Sequence, residues 1–211
     1  MTAPGAAAEV TRTLSEIAAL TLKAVRGAGC RWSLAEEAAM AVRVLEAHGL
    51  PGVATLDEVL RHPRACPCTG AKEGARCAIA ALAALGDGTA TLAPQAPVDL
   101  PHTQAPMMLI APLLLAARRL EATFVLTWAG SEVTCALDGL RGDAAPCAAA
   151  RPRVTRLLAR PTGPARGPDT SSRALPQGAW NRLTRLADAT LVPETEASRA
   201  SGAGPCETKE D

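Results

Sequence analysis

The hydrophobic period of this chain changes once, and the change falls on a proline-rich connector. Up to about residue 86 the apolar residues recur at helical spacing, and beyond residue 106 they run together or alternate as in strands. Pro94, Pro97, Pro101 and Pro106 punctuate the stretch between, as proline does where regular structure is interrupted. Helices gathered ahead of strands indicate an α+β architecture, because an alternating α/β fold would interleave them. The expected layout is a disordered N-terminus at 1–10, a helical region at 11–86, the connector at 87–106, an antiparallel sheet plus one C-terminal helix at 107–192, and a polar tail at 193–211. One compact domain is expected. A chain of 211 residues can bury roughly 70% of its unfolded surface and needs no disulfide or metal staple to fold.

In the helical region, Leu14, Ile17, Ala18, Leu22 and Val25 share one face of a first helix, which Gly27-Ala28-Gly29 ends. A second helix is expected to begin at Ser33, with Glu36 three residues on completing a capping box. Gly49 and Pro51 end it. Thr55 and Glu58 suggest a second capping box for a third helix closing at Pro63, and an Ala-rich fourth helix spans about 75–85. After the connector, Met107–Leu115 reads as a buried strand. Thr123–Trp128 and Val133–Leu137 alternate about Ala129-Gly130-Ser131, which predicts a hairpin with a three-residue loop. A last strand at Arg153–Arg160, a Pro/Gly/Ser-rich segment at Pro161–Gly178 and a final helix at Ala179–Ala189 complete the reading.

Composition removes several function classes. Twenty-two basic residues face 21 acidic ones, so no bulk charge selects nucleic acid or anionic lipid. Arg141, Arg151, Arg153, Arg156, Arg160 and Arg166 make a locally basic stretch, but no Phe or Tyr is interleaved for base stacking. Nucleic acid and membrane are not expected partners. Seven scattered cysteines and a start without a signal-peptide pattern imply a reducing compartment, expected to be the cytoplasm.

Chemistry-bearing motifs are few. His62, Cys66, Cys68 and Cys77 carry the donor atoms that zinc prefers, but Cys-Pro-Cys is not a usual metal-binding arm and no second arm exists. No metal and no cofactor are expected. No nucleophile elbow or phosphate loop occurs. His48 and His62 fall in the last turns of the second and third helices, where an imidazolium would favour the helix dipole. Glu36-Glu37 is an acidic pair in a first helical turn, compatible with capping or with acid/base chemistry. In the tail, Ser198-Arg199 precedes small residues and could hold a carboxylate or phosphate.

Arg26-Gly27-Ala28-Gly29, Trp32, Leu34-Ala35-Glu36-Glu37-Ala38 and Gly49-Leu50-Pro51-Gly52, with the tail run Pro193–Gly204, resemble an uncharacterised bacterial family catalogued as a domain of unknown function. The tail departs from that family at Pro205-Cys206-Glu207. The resemblance carries over no substrate or catalytic residue; it singles out Arg26, Trp32, Glu36, Glu37, Ser198 and Arg199 as the ligand-binding candidates. The leading expectation is a non-catalytic protein binding a small anionic metabolite or a partner protein. The first alternative is a cofactor-independent enzyme using Glu36 or Glu37 with an arginine. The second is a Cys/His metal-binding protein.

Overall fold

The structure, a computed structural model, describes residues 8–61, 76–146 and 149–191. It is α+β. Helices α1 (Leu14–Gly27), α2 (Trp32–Ala47), α3 (Gly52–Arg61) and α4 (Ala78–Gly88) precede α5 (Ile110–Leu120), and α6 (Gln177–Asp188) comes last. Among the strands, β1 (Glu9–Arg12) and β9 (Arg173–Pro176) form an antiparallel ribbon, so the strand begins inside the stretch expected to be disordered. Strands β2 (Val98–Asp99), β4 (Thr123–Trp128), β5 (Ser131–Ala136), β6 (Gly139–Asp143) and β8 (Arg153–Leu157) build an antiparallel sheet in the order β2-β8-β4-β5-β6. The short pair β3 (Thr103–Gln104) and β7 (Ala149–Ala150) stands apart from it.

Local chemistry sets the helix ends. Thr13 caps α1: its hydroxyl accepts from the Glu16 N–H at 3.2 Å, and the Glu16 carboxylate accepts from the Thr13 N–H at 2.8 Å. The helix closes as its glycines predict, with Gly29 at φ +89° and the Cys30 N–H reaching back to the Val25 carbonyl. The expected boxes at Ser33 and Thr55 do not form. Helix α2 starts two residues earlier, at Trp32, with Arg31 rather than Ser33 as its cap, and α3 starts at Gly52, which leaves Thr55 bonded within the helix to the Pro51 carbonyl. Gly27 meets a different demand: a Cβ there would lie 1.7 Å from the Leu186 carbonyl oxygen, so only glycine lets α1 lie this close to α6.

The segment expected to be a buried strand is instead helical. Pro106–Leu109 forms a short 3₁₀ turn leading into α5, and Met107 to Leu114 are buried without a break. A helix enclosed on all sides loses its polar stripe and reads as a continuous apolar run. Pro112 is no obstacle in the first turn, where the missing N–H has no intrahelical acceptor. One side of α5 lies on the sheet face carrying Phe124, Leu126, Val133 and Cys135; other contacts run to α2 and α4. The hairpin loop has two residues, with Trp128 paired to Ser131 and both Ala129 (φ 43°) and Gly130 (φ 82°) left-handed. That is the primed-turn geometry whose twist matches two antiparallel strands. One buried cluster includes residues from Leu14 in α1 to Ala187 in α6, and Phe124 is its only phenylalanine.

Candidate functional site

Three of the sequence-derived candidates meet on the outer surface. The Arg26 guanidinium lies over the Trp32 ring, 5.7 Å from its centroid, and donates to the Cys30 carbonyl at 2.7 Å. The Trp32 indole N–H donates to the Glu36 carboxylate at 2.8 Å. Trp32 is nevertheless 57% exposed. Each charged group here already has a partner, and the assembly stands on an exposed face. Ser198 and Arg199 lie outside the described residues, as do His62, Cys66 and Cys68. Cys77 is buried at the N-cap of α4, where burial pushes its thiol pKa up. Among the described residues no group of three His, Cys, Asp or Glu side chains is placed to hold a metal.

Glu37 has a different setting from its neighbour. One residue further around α2, it faces a cavity of about 230 Å³ between α2, α4 and α5. Helical spacing assembles the lining: Glu37 and Met40 from α2, Asp87 from the end of α4, and Pro112, Leu115 and Arg119 at i, i+3 and i+7 on α5. The walls are apolar and the charges stand at the rim, with Glu37 half-buried and Asp87 and Arg119 exposed. Burial first, then the like charges of Asp87 and Glu36, raise the Glu37 carboxyl above the usual carboxylate range. The Arg119 Nη2 donates to the buried Thr89 hydroxyl at 3.3 Å, which orients the guanidinium without neutralising it.

Asp87 and Arg119 were invisible as site residues. Asp87 sits in Gly86-Asp87-Gly88 and reads as a helix stop. Arg119 follows an apolar run that reads as a strand, in a chain whose arginines are common enough to carry little signal. Helical period through 112–119 is what would have put Pro112, Leu115 and Arg119 on one face.

Other arginines are committed to the fold. Arg182 and Arg61 both engage the buried Asp57, Arg141 pairs with Asp138 at 2.6 Å, and Arg153 pairs with Asp99 at 2.6 Å. Arg156 donates to the Leu92 carbonyl, and Arg173 donates to the Glu46 carbonyl at the end of α2. A second cavity, about 350 Å³ beside α3, is lined by Thr55, Gln104, Ala105 and Met107, with Glu58 as its ionic member among the described residues. Ala105 is left-handed there at φ 44°. Among the described residues no guanidinium lines this cavity, and its walls are mostly apolar.

The chain is thus an α+β protein with a charged pocket among three helices, and no described helix is long and apolar enough to cross a membrane. Residues 12–94 match the model of a family described as a protein of unknown function (DUF3726). The match takes in α1 to α4, with Arg26, Trp32, Glu36, Glu37 and Asp87, and ends before Arg119 and the sheet. No curated protein and no solved structure matches the chain.

Proposed function

We propose that this protein binds a small metabolite bearing an anionic group in the pocket between α2, α4 and α5, without transforming it. The observation that carries this reading is Arg119, a guanidinium at the rim of an apolar-walled cavity with no carboxylate paired to it among the described residues. Binding is favoured over catalysis because, among the described residues, no histidine, cysteine or serine lines the cavity. Glu36, the other half of the acidic pair, is engaged with Trp32 instead. An acid/base enzyme would hold its reacting groups in a site closed to water, whereas the charged residues here are at an open rim. The compartment in this reading is the cytoplasm, supported by the buried thiols of Cys77 and Cys135.

Thermal unfolding tests the proposal. Carboxylate-bearing compounds of this size should raise the midpoint in a concentration-dependent way, by an amount equivalent to about 2.7 kcal/mol at one hundred times Kd. Arg119→Ala should abolish the rise while leaving the unliganded midpoint within about 0.5 kcal/mol, as for an exposed substitution. Stabilisation that persists in Arg119→Ala would place the ligand elsewhere.

A further inference from the structure

Two carboxylates and one guanidinium line the same small cavity, yet Arg119 forms no ion pair with Glu37 or Asp87. Arg141 on Asp138 and Arg153 on Asp99 do close into ion pairs. Here the charges come from three separate helices, and Met40, Pro112 and Leu115 supply apolar lining beside them. We infer that the ligand is an α-amino acid with an apolar side chain, its carboxylate on Arg119, its ammonium between Glu37 and Asp87, and its side chain on that lining. This assignment rests on the reading of the pocket as a metabolite site.

Charge matching excludes the simpler ligands. A plain carboxylate would add a third negative charge beside Glu37 and Asp87. A plain amine would satisfy those two and leave a cation beside Arg119. A zwitterion meets both demands at once. The elevated Glu37 carboxyl agrees with this, since burial and the neighbouring carboxylates leave a negative potential that an ammonium would relieve. Size points the same way. A cavity of about 230 Å³ lies below the roughly 300–1,000 Å³ typical of drug-sized sites, which suits an amino acid and rejects a nucleotide.

Three matched probes decide the matter by calorimetric titration of the full chain: leucine, 4-methylpentanoate, which lacks the amino group, and 3-methylbutylamine, which lacks the carboxylate. Leucine should bind tighter than either, by up to about fivefold, because each probe lacks one charged end and a rim charge pair contributes modestly. Glu37→Gln with Asp87→Asn should bring leucine down to the affinity of 4-methylpentanoate and leave 4-methylpentanoate no weaker. Binding of 4-methylpentanoate as tight as leucine, lost in Arg119→Ala, overturns the amino-acid assignment and keeps the metabolite site. Amine binding equal to leucine overturns it as well. If neither carboxylate-bearing probe binds in an Arg119-dependent way, both the assignment and the site fall.

Discussion

His48 closes α2 from inside the protein. It is 2% exposed, its Nδ1–H donates to the Val44 carbonyl at 2.7 Å, and its Nε2 has no partner among the described residues. The sequence suggested an imidazolium stabilising the helix end. Burial, followed by the Arg118 and Arg166 guanidiniums, instead lowers its pKa and holds the ring neutral. The sign follows directly. Between the unfolded value near 6.5 and the depressed folded value, the unfolded chain takes up a proton that the native one does not, so stability is lost as pH falls through that window. Urea unfolding of the wild type should therefore give a midpoint that declines below about pH 6.5, with each unit of displacement equivalent to about 1.4 kcal/mol. His48→Gln should remove that slope. Nearby Glu46, whose carboxyl is raised chiefly by burial, works in the opposite direction, so the difference between the two proteins isolates the histidine. Equal slopes would exclude His48 as the source. What sequence conveyed at this scale was residue type and rough position. The Gly29 and Gly49 stops were legible because a left-handed residue at a helix end has few alternatives. The Ser33 and Thr55 caps were not, since a capping pattern fits any register that a neighbouring residue can begin first.

Asp57 and Arg182 join α3 to α6, two helices far apart in sequence. Arg182 binds both carboxylate oxygens, and Arg61 adds a third contact at 2.5 Å from within α3. Burial pushes the Asp57 carboxyl up, but the hydrogen bonds and charges of Arg182 and Arg61 outweigh it and hold the pKa below the usual range. The aspartate is 5% exposed and both arginines are more than a third exposed, so screening reduces the pair well below a fully buried one. Asp57→Asn should cost about 1–3 kcal/mol in urea unfolding, the scale of hydrogen bonds to a charged group. The wild-type advantage should fade only as pH drops below the ordinary aspartate value, where the native carboxylate is finally protonated. A variant as stable as wild type at pH 7 would show that α3 and α6 are held by apolar contact alone. No local pattern announces this contact, because its partners are 125 residues apart. Helix α5 failed to be legible for the opposite reason. Its apolar surround erased the period that marks a helix, while β4 and β5, each with one less buried face, kept an alternation that reads as strands, although β5 starts at Ser131 and ends before Leu137.

At the scale of the molecule, α5 occupies the position on which cooperativity depends. It lies between the sheet and helices α2 and α4, so residues on it are shared by both regions that the connector separates in sequence. Leu114 is 1% exposed on this helix. The three tryptophans report on different parts: Trp32 on α2, Trp128 on β4 and Trp180 on α6, where the Arg12 guanidinium of the β1 ribbon lies 5.0 Å from its ring centroid. Leaving one tryptophan at a time, with the other two changed to Phe, gives a separate probe of each part. If the helical region and the sheet share one core through α5, the three single-tryptophan proteins should each unfold in urea with one transition by fluorescence and by far-UV circular dichroism. Leu114→Ala should then lower stability by about 2–5 kcal/mol in every one of them, the usual cost of a large-to-small change in a packed core. A midpoint that shifts for the Trp128 protein but not for the Trp32 and Trp180 proteins would mean two units that fold apart. The pocket at Glu37, Asp87 and Arg119 would then straddle their boundary, with α2 and α4 on one side and α5 on the other. Under the cooperative outcome, ligand binding there should protect the sheet as fully as the helices, because the same helix that carries Arg119 covers Phe124 and Leu126.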